Sequence, residues 1–331
     1  MNPLICAVFP AFEMKYPSYD IFQLAGYLQM LEKNLRALPD VCIPDVEIFR
    51  AAYASRDDYE TMTDEQKHHL CYVSSCTLVD YLKLRHISID WIAPYSMGLF
   101  SSLYAAGCLS LQDGFALMNH VCQTALLVGR NLKGYGMGAI VGLSRSRVER
   151  LLHACCSEVQ ISDELTDNLI ILSGKTSEFD PLFDMAMKDG AIHCKHLPVE
   201  LPYHSHLMKE AEPILRAFVD RLPLRDPVCP IVACTDQKVL TTAADVREEA
   251  STNVLRPLNW KRTVEVLLKK GVDHFVECGF CENLSKMIKM TAGSLHVFHP
   301  KRFERLLPTI AKEGSLSQID TPKSRIAGRS S

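Results

Sequence analysis

Short apolar runs alternating with amphipathic helical stretches place the tightest limit on what this chain can become. ICAVF at 5–9, IDWIA at 89–93 and DHFVEC just before Gly279 have strand length, and long helical stretches separate them. This alternation predicts an α/β domain around a largely parallel sheet, because parallel neighbours must be joined by a crossover. A helical stretch around 64–85 leads into IDWIA. Ser110, three residues before Asp113, has capping-box spacing and predicts the start of another helix carrying Leu117, Met118, Val121, Cys122 and Ala125.

The pattern changes after Gly134 and Gly136. MGAIVGL (137–143) reads as a strand, and Ser146 with Glu149 is expected to cap a helix whose apolar face is Val148, Leu151, Leu152 and Cys155. EVQIS (158–162) and NLIIL (168–172) read as strands, Phe179 to Lys188 as a helix stopped by Gly190, and IHCKHLPV as a last strand. The order β-α-β-β-α-β is the ferredoxin-like arrangement. The expected organisation is a discontinuous large α/β domain (1–134 and 202–298), an inserted small subdomain (135–201), and an extension (299–331) that is disordered from about Gly314.

Charge excludes some functions. With 36 basic and 39 acidic residues and a net charge of −3, there is no electrostatic reason to expect a nucleic acid or a membrane surface as partner. No run approaches the roughly 18 apolar residues of a membrane span, and MNPLICAVFPAF lacks a basic leader, so a cytoplasmic location is expected. The 13 cysteines show no paired CxxC spacing, and neither they nor His68-His69, read as an exposed helix face, predict a metal site. Lys261-Arg262 reads as a solvated helix start.

The chemistry concentrates at Pro94-Tyr95-Ser96-Met97-Gly98, where a strand runs into a helix with a serine at the joint. Such an elbow exposes the hydroxyl and aims the next backbone N–H groups at the same space. It usually reads GxSxG, and here only the second glycine is present. From the pentapeptide alone, a serine that merely caps a helix is an equally good reading.

Other segments extend the pattern: FPAFEMK at 9–15, PYSMGL at 94–99, YAAGCLS at 104–110, PYHSHLM at 202–208, RPLNW at 256–260 and GVDHFVECGF at 271–280. In this order, over residues 1–295, the chain resembles the malonyl-CoA:acyl-carrier-protein transacylase family, whose segments are FPGQGSQ, GHSxGE, AAG, PFHSxLM, NPVxW and GVxHFxExGP. The resemblance implies an α/β-hydrolase-like large domain with a mostly parallel sheet plus the ferredoxin-like insertion. It makes Ser96 the nucleophile, His204 rather than His206 the base, the backbone near Asn253 the carbonyl that orients the histidine, and the backbone N–H groups of Met97 and Phe12 the oxyanion hole. The implied substrate is an acyl-CoA or phosphopantetheine thioester with no bound cofactor. Acyl carrier protein is the implied partner, and a monomer the implied state.

The departures bear on the substrate. Ungapped alignment puts Val121 where malonyl-transferring members carry an arginine, and Arg130 is nine residues later, half a rotation round the helix and roughly 13 Å along it. A malonyl carboxylate would lack its bidentate partner. Tyr95 replaces the family's histidine, Leu99 its glutamate, Lys67 its glutamine and Phe12 a further glutamine. Tyr95, Leu99, Val121 and Tyr203 are the expected pocket residues, and an uncharged acyl group is expected. Three readings remain open: an acyltransferase, a thioester hydrolase of the same fold, and a degenerate subunit that binds an acyl carrier without turnover. If Pro94 forces Ser96 out of the elbow, so that Ser96 and His204 cannot approach within about 3 Å, the binding reading gains.

Overall fold

A computed structural model describes residues 3–11, 21–38, 42, 47, 50, 55–155, 158–293, 295–303 and 305–306. Phe12, Cys156 and the polar stretch from Gly314 lie outside them. Helices α1 (Tyr27–Ala37), α2 (Arg56–Thr61) and α3 (Asp64–Leu84) follow the first strand, β1 (Ile5–Phe9). Strand β2 (Trp91–Pro94) then runs into α4 (Gly98–Ala105) and α5 (Leu111–Gly129). Ser110 caps α5 by accepting the Asp113 N–H at 3.0 Å.

The inserted unit is β3 (Tyr135–Val141), α6 (Arg145–Ala154), β4 (Gln160–Thr166), β5 (Leu169–Lys175), α7 (Phe179–Lys188) and β6 (His193–His196). Its sheet has the order β4-β5-β3-β6 and is antiparallel throughout, the ferredoxin-like arrangement. The N-cap of α6 is Ser144, not Ser146; Glu149 instead pairs with Arg145 at 2.8 Å one helical turn away. Strand β4 runs four residues past the predicted EVQIS. Its continuation carries Asp163, Glu164 and Thr166, polar residues that are nevertheless buried. Their partners explain this. Asp163 accepts the Trp260 N–H at 3.2 Å, and Glu164 accepts from Asn259 and Lys261, each at 3.2 Å.

The chain then adds α8 (Ala211–Val219), β7 (Ile231–Val232), β8 (Val239–Leu240), α9 (Ala243–Thr252), α10 (Trp260–Lys269), β9 (His274–Glu277), α11 (Asn283–Ala292) and β10 (His296–Phe298). The large sheet has the order β10-β9-β1-β2-β7-β8, parallel except for the last pair. Its faces are both covered, as a parallel sheet requires. Along β1, Ile5, Ala7 and Phe9 enter the core built with α1, α3, α4 and α5, while Cys6 and Val8 enter the core built with α10 and α11. Lys261, expected in solvent, is only 23% exposed and binds Asp167 at 2.5 Å as well as Glu164, tying α10 to the small sheet. Arg262 does sit at the surface, pairing with Glu265.

Candidate active site

The elbow is built where β2 leaves the sheet. Ile92 donates its N–H to Pro230 on the β7 side, and Tyr95 donates to Phe9 on the β1 side at 2.8 Å. Since amides along a strand alternate sides, the donor that Pro94 lacks would point towards β7, whose pairing with β2 is confined to Ile92. Proline therefore breaks no ladder bond, and the missing first glycine leaves the turn intact. Ser96 occupies the left-handed region with φ of 52°, the strained conformation of a nucleophile elbow. Gly98 is required for a different reason: a Cβ there would lie 2.1 Å from the Phe9 carbonyl oxygen. The Gly98 and Leu99 amides are taken up by Tyr95 and Ser96 carbonyls, whereas the Met97 N–H makes no backbone hydrogen bond among the described residues. That amide stands at the positive end of α4.

Residues 202–208 form the turn that carries the histidine. His204 also has positive φ, 56°, and its own N–H donates to the Val254 carbonyl at 2.9 Å, which fixes the backbone beneath the ring. The imidazole Nδ1 donates to the Asn253 carbonyl oxygen at 3.0 Å, leaving Nε2 as acceptor for the Ser96 hydroxyl at 2.7 Å. This distance is inside the limit of about 3 Å beyond which a non-catalytic role would have been favoured. Burial holds the imidazole neutral by pushing its pKa down to about 4, against the backbone carbonyls of Asn253 and Arg256, which pull it up. His206 points elsewhere, to Gln160 on the small sheet at 2.8 Å.

A buried carboxylate backs the orienting carbonyl. Glu249 is 3% exposed and accepts from the Asn253 side chain and the Thr235 hydroxyl, both at 2.8 Å. Arg256 stands 3.8 Å from the same carboxylate and 2.8 Å from Asp236.

A small cavity of about 10 Å³ lies against Met97, the residue after Ser96. Met97 and Ser101, one turn apart on α4, form one wall, and Pro10 and Ala11 at the exit of β1 form another. Met118 of α5 adds to the lining. The facing wall comes from α3, as His68, Cys71, Tyr72 and Ser75, an i, i+3, i+4, i+7 stripe along one helix face. The four expected pocket residues are elsewhere. Leu99 and Val121 are buried in the core, Tyr95 packs edge-on against Trp260 at 5.6 Å on the opposite face of the sheet, and Tyr203 packs beside His204. Phe12 is outside the described residues.

The histidine pair is a correction to the sequence reading. His69 is 1% exposed, accepting the Cys42 N–H at 3.1 Å and donating to Asn119 at 2.8 Å. His68 is half-buried in the cavity wall, with Nδ1 3.4 Å from the Cys122 sulfur. Lys67, the position matched to the family glutamine, instead places its ammonium over the Tyr59 ring at 5.5 Å. No metal-binding cluster occurs among the described residues.

Comparisons with known proteins follow the same lines. No protein-family profile matches the chain. The malonyl CoA-acyl carrier protein transacylase of Bacillus subtilis (strain 168) is 26% identical over 249 residues, covering 72% of this chain and 77% of the relative. That of Staphylococcus aureus (strain MRSA252) is also 26% identical over 249 residues, covering 74% and 79%. Among solved structures, FabD from Coxiella burnetii superposes with a TM-score of 0.81 at 19% identity, over 94% of this chain and 98% of that one. A malonyl-transacylase in complex with a type II polyketide synthase acyl-carrier protein superposes with a TM-score of 0.78 at 19% identity, over 89% and 95%. The acyltransferase domain from the second module of the salinomycin polyketide synthase does so with 0.73 at 18% identity, over 94% and 71%. The structural likenesses give the fold.

Proposed function

We propose that the chain is a divergent FabD-like member of the malonyl-CoA:acyl-carrier-protein transacylase family and that it transfers an uncharged acyl group between thioesters through an acyl-serine. The observation that carries the reading is the Ser96 to His204 hydrogen bond of 2.7 Å at a strand-to-helix elbow. His204 Nε2 takes the Ser96 proton as the oxygen attacks the thioester carbonyl, and Nδ1 stays bound to the Asn253 carbonyl, which holds the tautomer. The oxyanion is stabilised by the Met97 N–H at the start of α4, and the family pattern supplies the Phe12 N–H as second donor. Collapse of the intermediate releases the thiol, which receives the proton back from His204. A second pantetheine thiol then reverses the sequence, so the same two side chains serve both halves of a ping-pong reaction.

The donor is a CoA or carrier-protein thioester and the acceptor another pantetheine thiol; no resident cofactor enters a step. Acyl carrier protein is the fitting macromolecular partner. No described helix is long and apolar enough to cross a membrane. Cys6, Cys76, Cys108, Cys234 and Cys278 are buried thiols, which supports a reducing, cytoplasmic setting.

Steady-state transfer from an acyl-CoA to a pantetheine thiol tests this reading. Parallel double-reciprocal lines are expected, with Ser96→Ala lowering kcat by at least about a thousand-fold while the circular dichroism spectrum is unchanged. A Ser96→Ala protein with undiminished transfer would refute it.

A further inference from the structure

We propose that His68 sets acyl specificity at this site and that the group admitted is short and uncharged, of the acetyl class. The inference rests on the acyl-serine reading and narrows its substrate.

Size is the first ground. The cavity touches Met97, the residue after Ser96, and Ala11 at the strand exit opposite, and on the acyl-serine reading this is the space that the acyl group enters. A volume of about 10 Å³ holds roughly one water-sized group. A methyl group is of that size, and a longer chain would have to displace Met118 or the α3 stripe or extend through the cavity's open side. Gly98 cannot yield, since the helix it starts already abuts the Phe9 and Pro10 carbonyls.

Charge is the second ground. Among the described residues no lysine or arginine lines the cavity. Arg130 is exposed at the far end of α5, and Lys67 is held over Tyr59. The remaining nitrogen base is His68, whose ring meets the Cys122 sulfur at 3.4 Å. Burial pushes the imidazole down to about 4, with His69 adding to the effect and Asp64 opposing it, and pushes the Cys122 thiol up to about 12. Both partners are therefore neutral near pH 7. A neutral imidazole can hydrogen-bond a small polar group or pack against an apolar one, but it offers no charge to a buried carboxylate.

Intact-protein mass spectrometry after incubation with an equimolar mixture of acetyl-, butyryl-, hexanoyl- and malonyl-CoA decides the matter. The acetyl adduct is expected to exceed the butyryl adduct by about ten-fold or more, the discrimination typical of extra methylenes in a filled pocket. It should exceed the malonyl adduct by about a hundred-fold. Met118→Ala is expected to shift the label towards butyryl, and His68→Arg towards malonyl. Should His68→Arg fail to fold, the wild-type ranking and Met118→Ala decide alone. A wild-type preference for malonyl, butyryl or hexanoyl would overturn the inference while leaving the acyl-serine intact. Absence of any adduct would remove the acyl-serine reading, and this inference with it.

Discussion

His204 lies between the Ser96 hydroxyl and the Asn253 carbonyl, and its protonation state decides whether the pair can work. With burial holding its pKa at about 4, the ring is free to accept a proton throughout the range where an ordinary histidine would be half charged. The acid limb of kcat/KM therefore falls near pH 4 to 5 in a pH-rate profile of the transfer reaction, and not near 6.5. A limb at 6.5 would mean that the imidazole is solvated in the working enzyme. Linkage gives the same sign for stability. A histidine depressed in the fold contributes stability that is present above its unfolded pKa and is lost as the pH falls towards 4. Glu249 contributes at one remove, gripping the Asn253 side chain so that the carbonyl stays aimed at Nδ1.

At the level of elements, buried carboxylates join helices to sheets. Glu277 ends β9 fully buried, and its two oxygens accept the Leu284 and Ser285 N–H groups at 3.0 and 2.8 Å, satisfying the start of α11. Desolvation raises its pKa to about 7 despite these bonds. A carboxyl raised in the fold contributes stability that is complete below its unfolded pKa of about 4.5 and is lost as the pH rises through 7. Thermal melts between pH 4.5 and 8 should thus show Glu277→Ala destabilised most at the acid end. The difference should shrink by on the order of 3 kcal/mol towards pH 8. A constant difference across that range would contradict a raised pKa. Asp163, which joins β4 to α10 and is also raised to about 7, is expected to follow the same sign.

Across the whole molecule, the sequence patterns that survive are those tied to backbone geometry. Gly98 is glycine because the Phe9 carbonyl is in the way, which is legible in PYSMG, while His204, marked only through the resemblance carried by PYHSHLM, stands in a turn 2.7 Å from Ser96. Strand-helix alternation likewise gave the two sheets. The cavity wall was not readable for a physical reason. Helix α3 is buried almost without a break from His69 to Leu82, so no amphipathic contrast marks the face carrying His68, Cys71, Tyr72 and Ser75. Tyr95 went to the wrong side because neighbouring residues at the end of a strand point to opposite faces. The end of β4 was missed because its buried acids look like loop residues until Trp260 and Lys261 are brought against them.

The central claim is that the acyl group resides on Ser96 and leaves to a thiol. Peptide mapping of protein acylated with acetyl-CoA, before and after a chase with pantetheine, tests it most directly. The account predicts acetylation on the peptide containing Ser96 and its recovery as acetyl-pantetheine in the chase. Acetyl carried instead by Cys71 or Cys122, or released as free acetate with no thioester product, would contradict it.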